Sequence, residues 1–499
     1  MKVVGIIAEY NPLHNGHARQ LRLLREDFGA DGVIVCMSGD FTQRGVPAIV
    51  DKRTRAEMAL LTGADLVLEL PALFATGSAE LFAGGAVSLF DALGCVSHLS
   101  FGMENADSAH VTALQTLAEK LLLVEDGEKE AFSEGGMPDA AEKTADGINA
   151  DGINADRMSA DRISAVYRES LRSYTRRGLS FPAARERALS ETFSGMEEAE
   201  EKLLHSPNNL LAVEYVKALL RRKSEIQILP VQREGAPYHA ETLPEASDAF
   251  SPNSGQRTNN AVFPNSGQGN NNATFLNSGQ GKSSTVFFDS GRANPSATAL
   301  RRALRQKDAA SVSPYIPAEA LSLLFRQNGD NFVFPDDFSA ELAYRLTAER
   351  ERGFAAYLDV SEELSDKIIK WLPRFTTASA FAEGLKSKDL TRTRIDRALL
   401  HILLGITKEA YGYAAKKKET PYARVLGLRR DSTLFPLLKR KAGLPVVCNP
   451  AKGLALLNEE WERALLHLDI RAAEIYGLAL RKRCASAVAE ELRAPVVTI

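Results

Sequence analysis

The chain has 499 residues, of which 44% are hydrophobic and 25% are charged, and its net charge is −3. This length and composition predict an ordinary soluble protein of two or three domains, with enough apolar residues to build a core. The slightly negative net charge excludes a globally basic nucleic-acid-binding protein, so any RNA surface has to be local.

The apolar runs and the cysteines indicate the compartment. No run approaches the length of a membrane-spanning helix, about 18 apolar residues, and the first apolar segment is too short and wrongly flanked for a signal peptide. The four cysteines have no paired spacing, which predicts reduced thiols. They are Cys36, Cys95, Cys448 and Cys484. We therefore expect a cytoplasmic protein.

The N-terminal segment predicts a strand followed directly by a helix. Residues Lys2 to Ala8 are apolar and largely β-branched, as in a strand that is buried on both faces. Asn11-Pro12 ends this strand, because proline cannot donate to a ladder and restricts the residue before it. A helix then runs from Asn15-Gly16 to about Phe28. Its N-terminus offers free N–H groups and the positive end of the helix dipole, which predicts a phosphate site at this turn.

Two histidines with the spacing His14-x-x-His17 lie at the same turn. Residues three apart share one helix face, so both imidazoles can reach a single phosphate group. Transfer of a nucleotidyl group depends on stabilising charge at phosphorus more than on a protein nucleophile, and Gly16 lets a nucleotide approach the backbone. The alternative is a zinc-binding or surface histidine pair. Because no cysteine lies near, structural zinc is disfavoured and nucleotide binding is the favoured interpretation.

Strands and helices alternate over the next ninety residues. Buried strands are predicted at Gly32–Met37, Asp65–Leu70 and Ser97–Phe101, with helices at Ala56–Leu61 and from Ser78 to near Gly94. This rhythm predicts a doubly wound parallel sheet, an α/β fold of the Rossmann-like type. Ligands bind such sheets at the carboxyl ends of the strands. We therefore expect His14, His17 and Gly102 to face one pocket.

Two repetitive segments are predicted to be insertions, at about 134–165 and 246–294. The first contains four pentapeptide units, from Ala145 to Ser164, and the second repeats a twelve-residue unit rich in Asn, Gly, Ser and Gln. We expect both to be flexible or loosely ordered. Helices are predicted to resume at Ala165–Arg177 and Pro182–Phe193.

Two candidate caps follow. Ser206-Pro207-Asn208-Asn209 is expected to cap a helix at Leu210–Leu220, which leads to a strand at Ile226–Val231. Ser296 or Thr298 is expected to cap a helix at Ala299–Arg305, whose N-terminus is a second potential anion site.

From about Pro314 the sequence is mostly helical in pattern and contains several basic clusters. Apolar residues at helical spacing occur at Ala340–Leu346, Ile395–Leu404 and Trp461–Leu468. The basic clusters favour a phosphate-backbone surface, with Tyr411, Tyr413 and Tyr422 available for stacking on an unpaired base. Solvated faces are the alternative. The residues expected to contact RNA are Arg392, Arg394, Lys416, Lys417 and Lys418.

Several spaced motifs together resemble one family. They are residues 5–17, Met37-Ser38-Gly39-Asp40-Phe41-Thr42-Gln43-Arg44-Gly45, Gly63-Ala64-Asp65-Leu66-Val67-Leu68-Glu69-Leu70-Pro71, Phe101-Gly102-Met103-Glu104 and Pro207-Asn208-Asn209. The first resembles the HxGH signature of nucleotidyltransferases related to class I aminoacyl-tRNA synthetases. Taken in order, the motifs resemble the bacterial tRNA(Met) cytidine acetate ligases. The resemblance covers most of the chain apart from the two insertions.

The resemblance implies a set of nucleotide-binding residues, with His14 and His17 catalytic. For three of these residues a structural role is the alternative. Asn208 would then be an N-cap, Arg233 a solvated charge at a strand end, and Arg301 a surface residue of a capped helix. The residues that the resemblance assigns to ATP are Ile7, Ala8, Glu9, Tyr10, Asn11, Pro12, Leu13, His14, Asn15, Gly16, His17, Ala18, Arg19, Gln20, Gly102, Asn208, Arg233 and Arg301.

The resemblance also implies the reaction. Acetate and ATP would give acetyl-adenylate, and the acetyl group would pass to the wobble cytidine of elongator tRNA(Met) to form N4-acetylcytidine. We expect Mg²⁺ to accompany the nucleotide, although the sequence shows no dedicated ligand cluster, and no obligate protein partner is evident. The expected domains are a catalytic one at 1–310 and a helical, basic, tRNA-binding one at 311–499. An adenylyltransferase for a small-molecule cofactor and a non-catalytic RNA-binding protein remain as alternatives.

Overall fold

The computed structural model describes residues 1–133, 152–177, 181–233, 263–264, 273–274, 295–326, 331–387, 390–483 and 490–499. Its strands are β1 Val3–Ala8, β2 Gly32–Ser38, β3 Leu66–Leu70, β4 His98–Met103, β5 Gln227–Gln232, β6 Phe263–Pro264, β7 Ala273–Thr274, β8 Ala423–Leu428, β9 Val446–Val447 and β10 Val497–Thr498.

Helices lie between and after these strands. They are α1 Asn15–Glu26, α2 Lys52–Thr62, α3 Ala72–Ala75, α4 Ala79–Ala92, α5 Ser108–Ser133, α6 Gly152–Arg176, α7 Phe181–Thr192, α8 Glu198–His205, α9 Pro207–Arg222, α10 Ala297–Arg305, α11 Ala309–Val312, α12 Ala318–Leu324, α13 Ser339–Ala348, α14 Glu362–Trp371, α15 Ala378–Gly384, α16 Arg392–Leu404, α17 Lys408–Lys417, α18 Leu434–Lys441, α19 Pro450–Gly453 and α20 Glu460–Arg483.

The centre of the main sheet is a parallel array in the order β3-β2-β1-β4-β5. Every residue of β2 and β3 is buried, as expected for strands covered by helices on both faces. The predicted α/β sheet is therefore confirmed.

A single hydrophobic cluster joins the sheet to the helices that carry the site. Ile6 of β1 and Val35 of β2 pack in it with Leu21 of α1, Leu60 of α2 and Leu300 of α10. Because Leu300 and Leu304 are buried there, the start of α10 is held close to the end of β1. This packing brings residues 290 positions apart into one site.

The C-terminal part is mainly helical, as predicted, but it also contributes strands to the main sheet. β8 pairs antiparallel with β3, and both β9 and β10 pair parallel with β8. The apolar segment of β8 is too short for its periodicity to distinguish a strand from a buried helix, so the sequence did not predict it.

A buried network of ion pairs joins β8 to β3, the last strand of the parallel array. The Lys52 ammonium lies 2.7 Å from carboxylates of both Glu69 and Glu491 and 3.7 Å from Asp40. Arg424 of β8 pairs with Glu69 at 3.1 Å and also contacts Glu491. Since charges leave water at a high cost unless they are paired, each group needs its partners to stay buried.

The chain forms two compact units, and neither ends at the expected boundary of residue 310. The first unit comprises Met1–Asp107 and Ser224–Ile499, and the second comprises Ser108–Lys223. The second unit is helical and contains α5 to α9. The C-terminal strands in the main sheet explain why the helical half is not a separate unit.

The structure covers the two expected insertions only in part. Helix α6 begins at Gly152, so the last repeat units are helical, whereas a flexible segment up to 165 was expected. Residues 134–151 lie outside the described residues, as does the second insertion apart from the paired strands β6 and β7. Within the described ranges, no helix is long and apolar enough to cross a membrane.

Candidate nucleotide-binding site

The candidate site lies in the first unit, where the carboxyl ends of β1, β4 and β5 meet the start of helices α1 and α10. His14 and His17 come from the β1–α1 turn, Gly102 from β4, Arg233 from just beyond β5 and Arg301 from α10. The fold thus brings together five of the residues singled out in the sequence. This is the edge at which parallel sheets bind ligands.

Backbone hydrogen bonds fix both histidine rings at the first turn of α1. His14 is the N-cap residue, and its Nδ1 accepts from the N–H of Gly16 at 3.1 Å. The Nδ1 of His17 accepts from the N–H of His14 at 3.3 Å. A backbone N–H can only donate, so each neutral ring carries its proton on Nε2. The two Nε2–H groups remain as donors for a ligand oxygen.

The two rings stack on each other, with 3.8 Å between centroids and 27° between planes. Burial lowers the pKa of His14 to about 3, and the positive charges of Arg233 and Arg301 contribute to this shift. Burial, followed by the charges of His14 and Arg233, lowers the pKa of His17 well below its usual value. Both rings are therefore neutral near pH 7, and they present hydrogen-bond donors rather than fixed charges.

Arg233 follows β5 and lies against Gly102. Its backbone N–H donates to the carbonyl of Met103 at 2.9 Å, and its guanidinium lies 3.6 Å from a carboxylate oxygen of Glu104. A Cβ at Gly102 would come within 3.1 Å and 3.2 Å of the Arg233 Cγ and Cδ. Glycine therefore gives the arginine stem the space that it occupies beside His14.

Arg301 also lies near His14, in the first turns of α10. Its Nη1 donates to the carbonyl of Asn11 at 2.7 Å and its Nη2 to the hydroxyl of Thr298 at 3.1 Å. The Nη1 of Arg44 lies 3.5 Å from the same hydroxyl. Ser296 is the N-cap of α10 and accepts from the N–H of Ala299 at 3.1 Å, whereas Thr298 lies inside the helix. Two guanidiniums thus converge near one helix N-terminus, an arrangement that suits phosphate oxygens.

Arg55 joins the segment that follows β1 to the end of β2. It is fully buried, and its guanidinium donates to the carbonyls of Glu9 at 2.7 Å, Ser38 at 3.0 Å and Val50 at 3.1 Å, and also to that of Gly39. It joins the residue after β1 to the end of β2. Arg55 is therefore a positioning residue for the β1–α1 turn.

The family comparison agrees with this geometry. The profile of the family described as HIGH Nucleotidyl Transferase matches residues 1–145, 153–259 and 281–491. The tRNA(Met) cytidine acetate ligase of Caldanaerobacter subterraneus is 31% identical over 485 residues, covering 96% of each chain. The enzyme of the same name from Clostridium novyi is 29% identical over 481 residues, covering 96% of this chain and 95% of its own. The chain belongs to the tRNA(Met) cytidine acetate ligase family.

Solved structures of a relative support this assignment along the whole chain. The apo form of Thermotoga maritima TmcAL superposes with a TM-score of 0.75 at 27% identity and covers 100% of both chains. TmcAL bound with alpha-thio ATP gives a TM-score of 0.73 at 28% identity, covering 100% of this chain and 99% of its own. These matches confirm the fold predicted for this member of the ligase family.

Three other residues that the ligase resemblance assigned to ATP contact neighbouring parts of the protein. The amide of Asn15 donates to the carbonyl of Pro314 at 3.0 Å, Arg19 donates to the carbonyl of Gln232 at 3.1 Å, and Gln20 donates to the Ser100 hydroxyl at 3.0 Å. These contacts join α1 to the strands and helices around the site. In this family member the three side chains hold the site in place.

Asn208 belongs to the second compact unit, in the first turn of α9. The alternative interpretation, that Asn208 is only the N-cap of this helix, is wrong, because α9 begins at Pro207 and Ser206 holds the N-cap position without a side-chain cap bond. Proline is favoured at the first position of a helix, which places the start before Asn208. A nucleotide contact by Asn208 in this ligase relative stays a prediction.

The five basic residues assigned to tRNA differ in their surroundings. Arg392 pairs with Asp396 at 2.9 Å and Glu383 at 3.1 Å, Lys417 pairs with Glu419 at 3.1 Å, and Lys418 pairs with Glu80. Arg394 and Lys416 are exposed. Within the described residues, these last two have no ion pair, and a contact of any of the five with tRNA stays a prediction.

Two of the three tyrosines near these basic residues are buried and have structural roles. Tyr422 is fully buried and donates to Asp469 at 2.8 Å, and Tyr411 is buried and accepts from Arg471 at 2.8 Å. Only Tyr413 is exposed among the three, beside Trp461 with 5.8 Å between ring centroids. The expectation that all three stack on an RNA base is therefore wrong for Tyr411 and Tyr422.

Arg44 and Arg55 lie at the site but were not predicted from the sequence as functional residues. Both lie in or beside segments with a recognisable pattern, Gln43-Arg44-Gly45 and Asp51-Lys52-Arg53-Thr54-Arg55. The position of Arg44 beside a glycine in a loop after a strand could have indicated a functional residue. Its partner Thr298, however, lies 254 residues away in the sequence. Within the described ranges, no group of three or more His, Cys, Asp and Glu side chains could hold a metal ion.

Proposed function

We propose that this chain is an ATP-dependent ligase that acetylates the wobble cytidine of elongator tRNA(Met), giving N4-acetylcytidine. The observation that carries the proposal is the stacked, neutral pair of His14 and His17 at the strand-to-helix turn, with Arg233 and Arg301 close enough to lower the pKa of His14. The names of the relatives support the tRNA(Met) cytidine as the substrate. They give no support to the two alternatives, a cofactor adenylyltransferase or a non-catalytic RNA-binding protein.

The first step forms acetyl-adenylate. A carboxylate oxygen of acetate attacks the α-phosphorus of ATP, and the bond to the bridging oxygen breaks, so that pyrophosphate leaves. The Nε2–H groups of His14 and His17 donate to α-phosphate oxygens, where charge is concentrated in the transition state. Arg233 and Arg301 provide the full positive charges beside them.

The second step transfers the acetyl group. The exocyclic amine of the cytidine attacks the carbonyl carbon of acetyl-adenylate, the bond from that carbon to the phosphate oxygen breaks, and AMP leaves while the amine loses one proton. The same donors stabilise the phosphate of the leaving AMP, so the site serves both steps. The ATP-binding segment in this proposal is residues 7–20 together with Gly102, Arg233, Arg301 and Asn208.

Mg²⁺ fits this site best as a companion of the nucleotide. Phosphate oxygens are good ligands for this hard cation, which often keeps several waters and needs few protein ligands. Arg233 and Arg301, which lie near His14, supply positive charge in addition. We further propose that the reaction takes place in the cytoplasm.

The tRNA-binding role of the C-terminal half is also a proposal. Arg394 on α16 and Lys416 on α17 are the two exposed candidates that have no ion pair within the described residues, and the exposed Tyr413 lies on the same helix as Lys416. Cations that are not held in ion pairs can neutralise phosphates at lower cost. For this reason we propose that residues 311–499 bind the tRNA substrate.

The direct test is acetate-dependent exchange of labelled pyrophosphate into ATP, measured with and without tRNA(Met). The proposal predicts exchange that requires acetate, because the reverse of the first step needs acetyl-adenylate. Exchange without acetate, or no exchange under any condition, would contradict the proposed first step.

A further inference from the structure

Helix α6 of the second unit carries a regular row of arginines. Arg168, Arg172 and Arg176 recur every fourth residue, and Arg177 follows the last of them. Residues four apart share one helix face and rise about 6 Å along the axis at each step. The three guanidiniums therefore form a linear array along one side of the helix.

The four arginines line one open concavity of about 700 Å³. Among the described residues, its other lining residues are Ala165, Glu169 and Ser173, so this part of the lining contains one carboxylate and four guanidiniums. The lining also contains one hydroxyl, which can donate to or accept from a ligand. The concavity is complementary to an extended anion that carries charges at regular intervals.

These guanidiniums are available to a ligand. Within the described part of the chain, Arg172 and Arg176 are exposed and neither has an ion pair or a side-chain hydrogen bond. The Nε of Arg168 donates to the carbonyl of Ser164 at 3.2 Å, and the guanidinium of Arg177 lies 5.5 Å from the ring centre of Tyr174. The two central arginines are therefore the most accessible cations of the row.

Four other cations of the same unit are paired with carboxylates. Lys217 lies 2.8 Å, Arg221 2.9 Å and Arg185 3.6 Å from carboxylate oxygens of Glu125, and Lys120 lies 2.7 Å from Glu200. These four cations have carboxylate partners, whereas Arg172 and Arg176 of α6 have no ion pair with any residue in the described ranges. Such a local positive surface stands out in a chain whose net charge is −3.

We infer that the arginine row of α6 binds the sugar–phosphate backbone of the tRNA substrate. Arginine forms paired hydrogen bonds with phosphate oxygens, and an array that repeats along a helix matches a polymer of phosphates better than a single small anion. This inference rests on the proposed function and adds to it a second RNA surface, separate from the cations at Arg394 and Lys416. The contact is with the backbone, so it positions the tRNA without reading its sequence.

The test is the variant Arg172→Gln/Arg176→Gln in the full chain, with tRNA(Met) binding titrated at four salt concentrations. We expect weaker tRNA binding and a salt slope reduced by about two units, because each lost phosphate contact removes about one. Acetate-dependent pyrophosphate exchange without tRNA should stay at the wild-type level, which also shows that the variant is folded. The conservative variant Arg172→Lys/Arg176→Lys keeps both charges and should keep most of the slope.

The matched control is Arg187→Gln/Lys202→Gln, which removes two exposed charges from α7 and α8 of the same unit. If the α6 variant and this control have the same tRNA affinity and slope, the row is a solvated face and the inference is overturned. Equal loss of binding to polyglutamate and to tRNA in the α6 variant would overturn the assignment to RNA. Failure of the proposed function would give a different result. The wild-type protein would then bind tRNA with a salt dependence that the α6 substitutions reduce, but it would not exchange pyrophosphate into ATP.

Discussion

At the residue scale, the central feature is that His14 and His17 are neutral donors. Their Nδ1 atoms are occupied by backbone N–H groups, and burial together with nearby arginines disfavours protonation. The sequence predicted both residues and their common direction from a three-residue spacing. It could not predict the tautomer, because the tautomer depends on which backbone N–H groups donate to the Nδ1 atoms of the two rings.

We predict that His14→Ala folds normally but lowers acetate-dependent pyrophosphate exchange by about 10²–10³-fold, the usual effect of removing one preorganised donor. His17→Ala should act in the same direction. His467→Ala is the matched control, since His467 is exposed on α20. Wild-type exchange in both site variants would remove the histidines from the mechanism.

The lowered pKa values also predict a difference in acid stability. Between about pH 6.5 and pH 3 the unfolded chain binds a proton at His14 that the folded chain does not, so acidification reduces the free energy of unfolding. His14→Gln removes this dependence. From pH 7 to pH 5, urea unfolding should therefore show a larger loss of stability in the wild type than in the variant. Parallel losses would mean that His14 is protonated equally in both states.

At the element scale, the site depends on how strand ends and helix starts meet. Gly102 on β4 makes room for Arg233 beyond β5, and buried leucines of α10 bring Arg301 to the carbonyl of Asn11. The sequence predicted the five parallel strands and α1, α2 and α4 to within a few residues, because their apolar runs are bounded by Asn, Gly and Pro. It could not predict Arg44 beside Thr298, since that contact joins segments that lie far apart in sequence.

Gly102→Ala tests the packing of this corner. The added methyl group would lie 3.1 Å from the Arg233 Cγ, so the guanidinium has to shift by a few tenths of an ångström. We expect the KM for ATP in pyrophosphate exchange to rise roughly tenfold, with little change in melting temperature. Gly443→Ala is the control, because its Cβ would make an ordinary 3.6 Å contact with the carbonyl of Ala92. Equal KM values for the two variants would show that Arg233 is not needed in its present place.

Charge reversal on α16 and α17 tests the C-terminal cations. Arg394→Glu/Lys416→Glu should weaken tRNA binding and lower its salt slope, because both side chains are exposed, while exchange without tRNA persists. Arg326→Glu is a control at an exposed arginine that pairs with Glu57 at 2.9 Å. If the double variant loses exchange and tRNA binding to the same extent, the C-terminal part is needed to complete the catalytic site.

At the scale of the whole molecule, the C-terminal part of the chain is joined to the catalytic sheet. The helical C-terminal half adds β8, β9 and β10 to the catalytic sheet, and buried pairs of Lys52 and Arg424 with Glu69 and Glu491 join them. The sequence showed a helical pattern there but not which edge of the sheet a six-residue apolar segment would join. Long-range strand pairing is set by packing that a local pattern does not contain.

The second insertion gives a prediction for the molecule as a whole. Replacing residues 246–294 with a short linker should leave pyrophosphate exchange largely intact. Longer loops cost only about 0.6 kcal/mol per doubling of length, so the insertion need not contribute to the fold. Loss of ATP binding in a soluble deletion protein would show that these repeats have a structural role.

The central claim is that this site makes acetyl-adenylate and passes the acetyl group to the wobble cytidine. It is tested most directly by incubating the protein with labelled acetate, ATP and a tRNA(Met) transcript, and then analysing the nucleosides. We predict label in N4-acetylcytidine, no label with a transcript that carries uridine at the wobble position, and about 10²–10³-fold less label with His14→Ala. Label that reaches the uridine transcript equally well, or no labelled nucleoside with the wild-type protein, would contradict the account.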